Sequence, residues 1–90
     1  MRLPEITTIE RDGQHVEYRF AVGKRSFHAI VTNENTHHNV YVASNDKDEE
    51  KREKCLAIYE KGHLRTCPQD QTACDILVMC LNLCSLGLAK

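Results

Sequence analysis

The sequence predicts an α+β fold, with an N-terminal antiparallel β-meander of three to four strands followed by two α-helices packed on one face. Three observations predict it. Asp12-Gly13 is a strong short-hairpin signal. Residues 15–22 alternate, with Val16, Tyr18, Phe20 and Val22 on one side and His15, Glu17, Arg19 and Ala21 on the other. At Ser44-Asn45-Asp46 the pattern changes to good N-cap residues, with Glu49 three positions after Asp46 as in a capping box.

Each element follows in order. Glu5 to Arg11, rich in Ile and Thr, reads as the first strand and 15–22 as the second. After Gly23-Lys24, the third strand puts Phe27, Ala29 and Val31 on one face and Ser26, His28, Ile30 and Thr32 on the other. A polar loop follows from Asn33 to Asn39, and Val40 to Ala43 makes a short fourth strand, closing a sheet over 5–44. The first helix is expected over about 46–61. Its acids lie at the start and its lysine at the end, complementing the helix dipole, with Asp48–Arg52 and Glu50–Lys54 as i,i+4 pairs and Gly62 as its C-terminal stop. The nine charged residues from Asp46 to Lys54 leave its first half no apolar side, so only Cys55, Leu56, Ile58 and Tyr59 can dock it. The second helix is expected over about 67–86, opened by Thr66-Cys67-Pro68. Its polar stripe is narrow, comprising Gln71, Asp75, Asn82 and Ser85, and its apolar arc is wider than one covered side of a surface helix requires. Both helices are expected on the face of Tyr18, Phe20, Phe27, Ala29 and Val31.

Ninety residues are the size of one domain with one modest core. With 41% hydrophobic and 28% charged residues the composition is that of a globular chain. A net charge of -1 imposes no overall attraction to nucleic acid or an anionic membrane. The apolar run Ile76 to Cys84 is too short for a bilayer span. The five cysteines, Cys55, Cys67, Cys74, Cys80 and Cys84, are an odd set without a leader peptide and read as reduced thiols in a cytoplasmic protein.

Signals for chemistry are weak. His63, Cys67, Cys74, Cys80 and Cys84, with Cys55 nearby, are the residue types that bind zinc. They lack a CxxC knuckle, and Cys80 and Cys84 sit among leucines, so they read as structural thiols. His37-His38 reads as a solvated loop pair that changes charge near neutrality. Cys67, at a helix start beside His63, is the one nucleophile candidate with a neighbouring base, but it has no third partner. Gly13, Gly23, Gly62 and Gly87 are scattered in turn and cap positions, which excludes a phosphate loop, and no GxSxG occurs. The chain is therefore expected not to be an enzyme and to bind no cofactor or metal.

The expected function is protein binding. Ile76, Leu77, Cys80, Leu81 and Cys84 form the surplus apolar arc, expected to make a homodimer through the second helix. Asp48, Glu49, Arg52 and Glu53 form a projecting charged surface. An alternative uses Arg19, Lys24, Arg25 and His28, with His15 and Tyr41, as a nucleic-acid surface on the polar sheet face. A further alternative is a small zinc-supported or cysteine-dependent protein. In size, build and lack of motifs the chain is similar to small phage-encoded inhibitors of host defence such as anti-CRISPR proteins. That likeness of general type implies a target that is itself a protein complex handling nucleic acid.

Overall fold

The computed structural model describes residues 3–33 and 38–85, with the side chains of Asn33 and Ser85 excepted. His37, Leu86 and Gly87 lie outside these residues. Among the described residues six strands form one antiparallel sheet in chain order: β1 (Glu5–Asp12), β2 (His15–Val22), β3 (Arg25–Asn33), β4 (His38–Ser44), β5 (Ala57–Glu60) and β6 (His63–Thr66). Two helices complete it, α1 (Glu49–Lys54) between β4 and β5, and α2 (Gln71–Ser85) after β6. The α+β class holds. The sheet is wider than the expected three to four strands, and the first helix is far shorter than 46–61.

The meander is built from tight turns. Asp12 pairs with His15, so Gly13-Gln14 form the loop and Gly13 alone takes positive φ, at 62°. Gly23-Lys24 repeats the geometry, Val22 pairing with Arg25. The third tight turn overturns the helix expected through Lys61. Lys61 (φ 52°) and Gly62 (φ 83°) are both left-handed, the pattern of a type I′ hairpin loop, and Glu60 pairs with His63 across it. Gly62 is therefore a hairpin residue, not a helix stop. The helix ends at the Cys55 cap because the residues beyond alternate: Ala57 and Tyr59 point to one side of the sheet and Ile58 to the other.

Val16, Tyr18, Phe20, Phe27, Ala29, Val31, Val40, Val42 and Ala57 make the inner face of the sheet, and α2 lies across β3, β4 and β5 on that side. Ala29 and Ala57 on the sheet and Ala73 on the helix have no exposed surface. Side chains this small let a helix lie close to strands. Ile76, Leu77, Cys80 and Cys84 complete the core from the helix. Asp70 caps α2, its Oδ1 accepting from the Thr72 N–H at 2.8 Å, so Pro68 lies in the connection before the helix and not in its first turn.

The helices do not share one face. α1 sits at the end of the sheet, next to β4. Asp48 is its N-cap, accepting from the Glu50 N–H at 3.0 Å, in place of the expected Asp46–Glu49 box. None of its six residues is buried, while Cys55 at its C-terminal end enters the inner core. Of the two expected ion pairs, Glu50–Lys54 forms at 3.3 Å. No helix among the described residues is long and apolar enough to cross a membrane.

Candidate functional site

On the outer face of the sheet, opposite α2, strand pairing lines up side chains that the core does not use. Ile30 pairs with Tyr41 and Tyr41 with Ile58, a cross-strand apolar row over three strands in which Ile30 and Tyr41 are exposed and Ile58 is half-buried. Residues that pair directly in a sheet have adjacent side chains on one face, so these three form one surface. Next to it, α1 rises over β4 and leaves a groove of about 390 Å³. Its floor includes His28, Tyr41 and Ala43, and its far wall is Glu49, Arg52 and Glu53, with Leu56 at the base.

The groove is held from below. The Asn45 backbone N–H donates to the Ser26 carbonyl at 2.9 Å and its side-chain amide to Ser26 Oγ at 3.0 Å, tying the exit of β4 to the start of β3. The Asn45 side-chain oxygen Oδ1 in turn accepts from His28 Nδ1 at 2.5 Å, which sets the imidazole 6.1 Å from the Tyr41 ring. Ser44 donates to Asp46 Oδ2 at 2.6 Å. Three carboxylates, Asp46, Glu49 and Glu53, line this groove together with Arg52 and the His28 ring. Carboxylates beside an exposed aromatic ring suit the cationic and amphipathic side chains of another protein.

A second cluster lies at the inner edge of the sheet. Arg25 lies on the inner face beside Phe27, its guanidinium 4.7 Å from the ring centre, and not on the polar face where the basic surface was expected. Its Nη1 donates to Asp70 Oδ2 at 2.6 Å, its Nη2 contacts Cys55 Sγ at 3.0 Å, and Asp46 is 3.8 Å away. This one side chain thus joins β3, the end of α1, the β4–α1 connection and the cap of α2. Burial works to raise the Asp70 carboxyl, but hydrogen bonds from Arg25, the Thr72 backbone and Cys55 outweigh it and hold the carboxyl below its usual range. Burial also pushes the Cys55 thiol up, so it is a weak nucleophile.

No protein-family model, no curated protein and no solved structure matches the chain.

The structure separates the other expected sites. Ile76, Leu77, Cys80 and Cys84 are buried within the chain, and Leu81 is half-buried against the same core, so the homodimer expected through these residues of α2 is not supported. Asp48, Glu49, Arg52 and Glu53 are exposed. Of the basic set, Arg25 is engaged in the inner junction, Lys24 is exposed in the β2–β3 turn, and Arg19 lies 4.0 Å from Glu17. His28 belongs to the acidic groove, and His15 Nδ1 lies 3.0 Å from Thr32 Oγ1. The zinc-type residues are dispersed, and among the described residues no three His, Cys, Asp or Glu side chains gather in a way that could hold a metal. His63 opens β6 and Cys67 follows its end, so extended backbone places them about 13 Å apart, too far for a base to reach a thiol. Their four-residue spacing would have suited a helical turn.

Sequence reasoning overlooked the Ile30–Tyr41–Ile58 row and the Arg25–Asp70–Cys55 junction. Alternation gives the outward direction of Ile30 and Tyr41, but Ile58 joins them only once β5 is recognised as a strand. The inward direction of Arg25 follows from its two-residue spacing to Phe27.

Proposed function

We propose that this protein is a non-enzymatic protein-binding module. It presents the groove between α1 and the outer sheet face to a partner with a basic surface. In this reading it acts as a small inhibitor or regulator, anti-CRISPR-like in kind, that occupies the nucleic-acid-binding surface of a host complex. One observation carries the reading: every residue of α1 is charged and none is buried, yet the helix borders an open groove that exposes Tyr41. A helix that contributes so little apolar surface to the core is explained by what it displays. The nucleic-acid alternative is less well supported. Glu17, Asp46, Glu49 and Glu53 accompany the few bases on this side, and carboxylates repel phosphates.

The test places a photo-crosslinking aromatic residue at Arg52 or, as control, at Gln71 on α2, and exposes both proteins to lysate of the source. The expected result is a discrete protein adduct from position 52 that disappears with Glu49→Lys/Glu53→Lys and is not formed from position 71. Equal adducts from both positions, or a nuclease-sensitive adduct, overturn the proposal.

A further inference from the structure

β1 is the longer of the two edge strands, and among the described residues it pairs with β2 alone. All eight of its residues are exposed. Ile6 and Ile9 pair with Phe20 and Tyr18 and so point to the inner side, yet they keep 38% and 49% of their surface because α2 covers β3 to β5 and stops short of them. Leu3, just before the strand, is 77% exposed. An uncapped ladder edge bordered by isoleucines is a template for another strand.

The outer side of the same strand selects the occupant. Glu5, Glu10 and Asp12 point there, and Glu10 pairs directly with Glu17 of β2, an unfavourable like-charge contact at a free edge. A second copy is a poor fit. The antiparallel register that sets Ile6 against Ile9 of another β1 also sets Glu5 against its Glu10, repeating the repulsion twice. The bulge at Thr7, whose hydroxyl donates to the Arg19 carbonyl at 3.2 Å, further restricts the available registers. A basic strand relieves what a second copy in that register aggravates, so the same acids disfavour that self-pairing and favour a cationic partner.

We propose that β1 is a strand-addition site. It accepts an extended segment of a protein partner that sets branched apolar side chains beside Ile6 and Ile9 and basic side chains beside Glu5, Glu10 and Asp12. The site is separate from the α1 groove and stands or falls independently of it.

The probe is a synthetic peptide of about eight residues alternating Val and Lys and ending in Trp. The protein has no Trp, so indole anisotropy reports the peptide alone. Controls are the Val/Glu peptide and the Val/Lys peptide N-methylated on the amides of one edge. The expected result is binding of the Val/Lys peptide with slowed hydrogen exchange at β1 amides, weakened about 10-fold or more by either control change. Glu10→Lys, an exposed position, leaves Glu5 and Asp12 in place and is expected to narrow the preference for the Val/Lys over the Val/Glu peptide while leaving the circular dichroism spectrum unchanged. The proposal is overturned if N-methylation has no effect, if exchange protection falls on α1 instead of β1, or if the free protein sediments as a dimer with β1 amides already protected.

Discussion

The two helices carry the most instructive contrast in the molecule. α2 is 15 residues long and gives Ala73, Ile76, Leu77, Cys80 and Cys84 to the core, while α1 is six residues long and gives it only the cap residue Cys55. One helix is held by packing, the other by its N-cap, a neighbouring cysteine and Arg25. A segment free of packing duty can carry charge for display, whereas a helix that seals the core has few side chains left for recognition.

The largest expected effect tests the packed side of that contrast. Ile76→Ala should lower unfolding free energy by about 2–5 kcal/mol in urea titration, the range for deleting a fully buried branched side chain. A loss below about 1 kcal/mol would mean that α2 does not seal the core.

Next comes the joint between the two regions. Arg25→Met should cost about 1–2 kcal/mol. A charged hydrogen bond to Asp70 is lost, but 37% of the Arg25 side chain and 26% of the Asp70 side chain are exposed and water offsets part of the deficit. Combined with Asp70→Asn, the double variant should lose less than the sum of the singles, because both substitutions remove the same bond. Additive losses would show that the joint is not coupled.

The same pair sets an acid dependence. The Asp70 carboxyl is held below its ordinary 3.8 in the folded protein, so the charged form contributes stability that is fully present above that value. That contribution is lost as pH falls below 3.8 toward the lower folded value. Thermal melts between pH 5 and 2 should therefore be less steep for Asp70→Asn than for the parent, and parallel curves would remove Asp70 from the acid response.

Thiol labelling separates exposed from core cysteines without altering stability. Cys67 is exposed, Cys74 is half-buried, and Cys55, Cys80 and Cys84 are buried. Burial, with Cys84 adjacent, pushes the Cys80 thiol up to about 12. At pH 8 one thiol should react quickly, and Cys80 should react only at the rate of unfolding. The smallest effect belongs to α1: Glu53→Gln and Arg52→Gln should change stability by no more than about 0.5 kcal/mol. A loss above 1 kcal/mol would show that α1 has a packing role.

How far the fold was legible depended on element length. β2 and β3 have eight and nine residues, enough for several periods of alternation, and both were readable with their turns. β5 and β6 have four each. Four residues hold too little pattern to tell a strand from a helical turn, and Lys61-Gly62 suits a helix end as well as a hairpin loop. Missing those strands made the sheet look too narrow to cover α2, which is why Ile76, Leu77, Cys80 and Cys84 looked like an interface. The charged display on α1 was legible, since a run of charges needs no tertiary information. The attachment of Arg25 to Asp70, 45 positions away, was not, because only the folded topology brings them together.

Chain order has a consequence for synthesis. Every strand that α2 covers is made before α2 itself, so the meander can assemble hairpin by hairpin as it emerges, each pairing being local. Its inner face, with Phe20, Phe27 and Val42, stays uncovered until residues 71–85 leave the ribosome. A chain stalled or cut near Asp70 would keep the sheet without its cover and also lack the carboxylate that holds Arg25. Such fragments should aggregate and be readily degraded, making completion of α2 the step that commits each new molecule to the native fold.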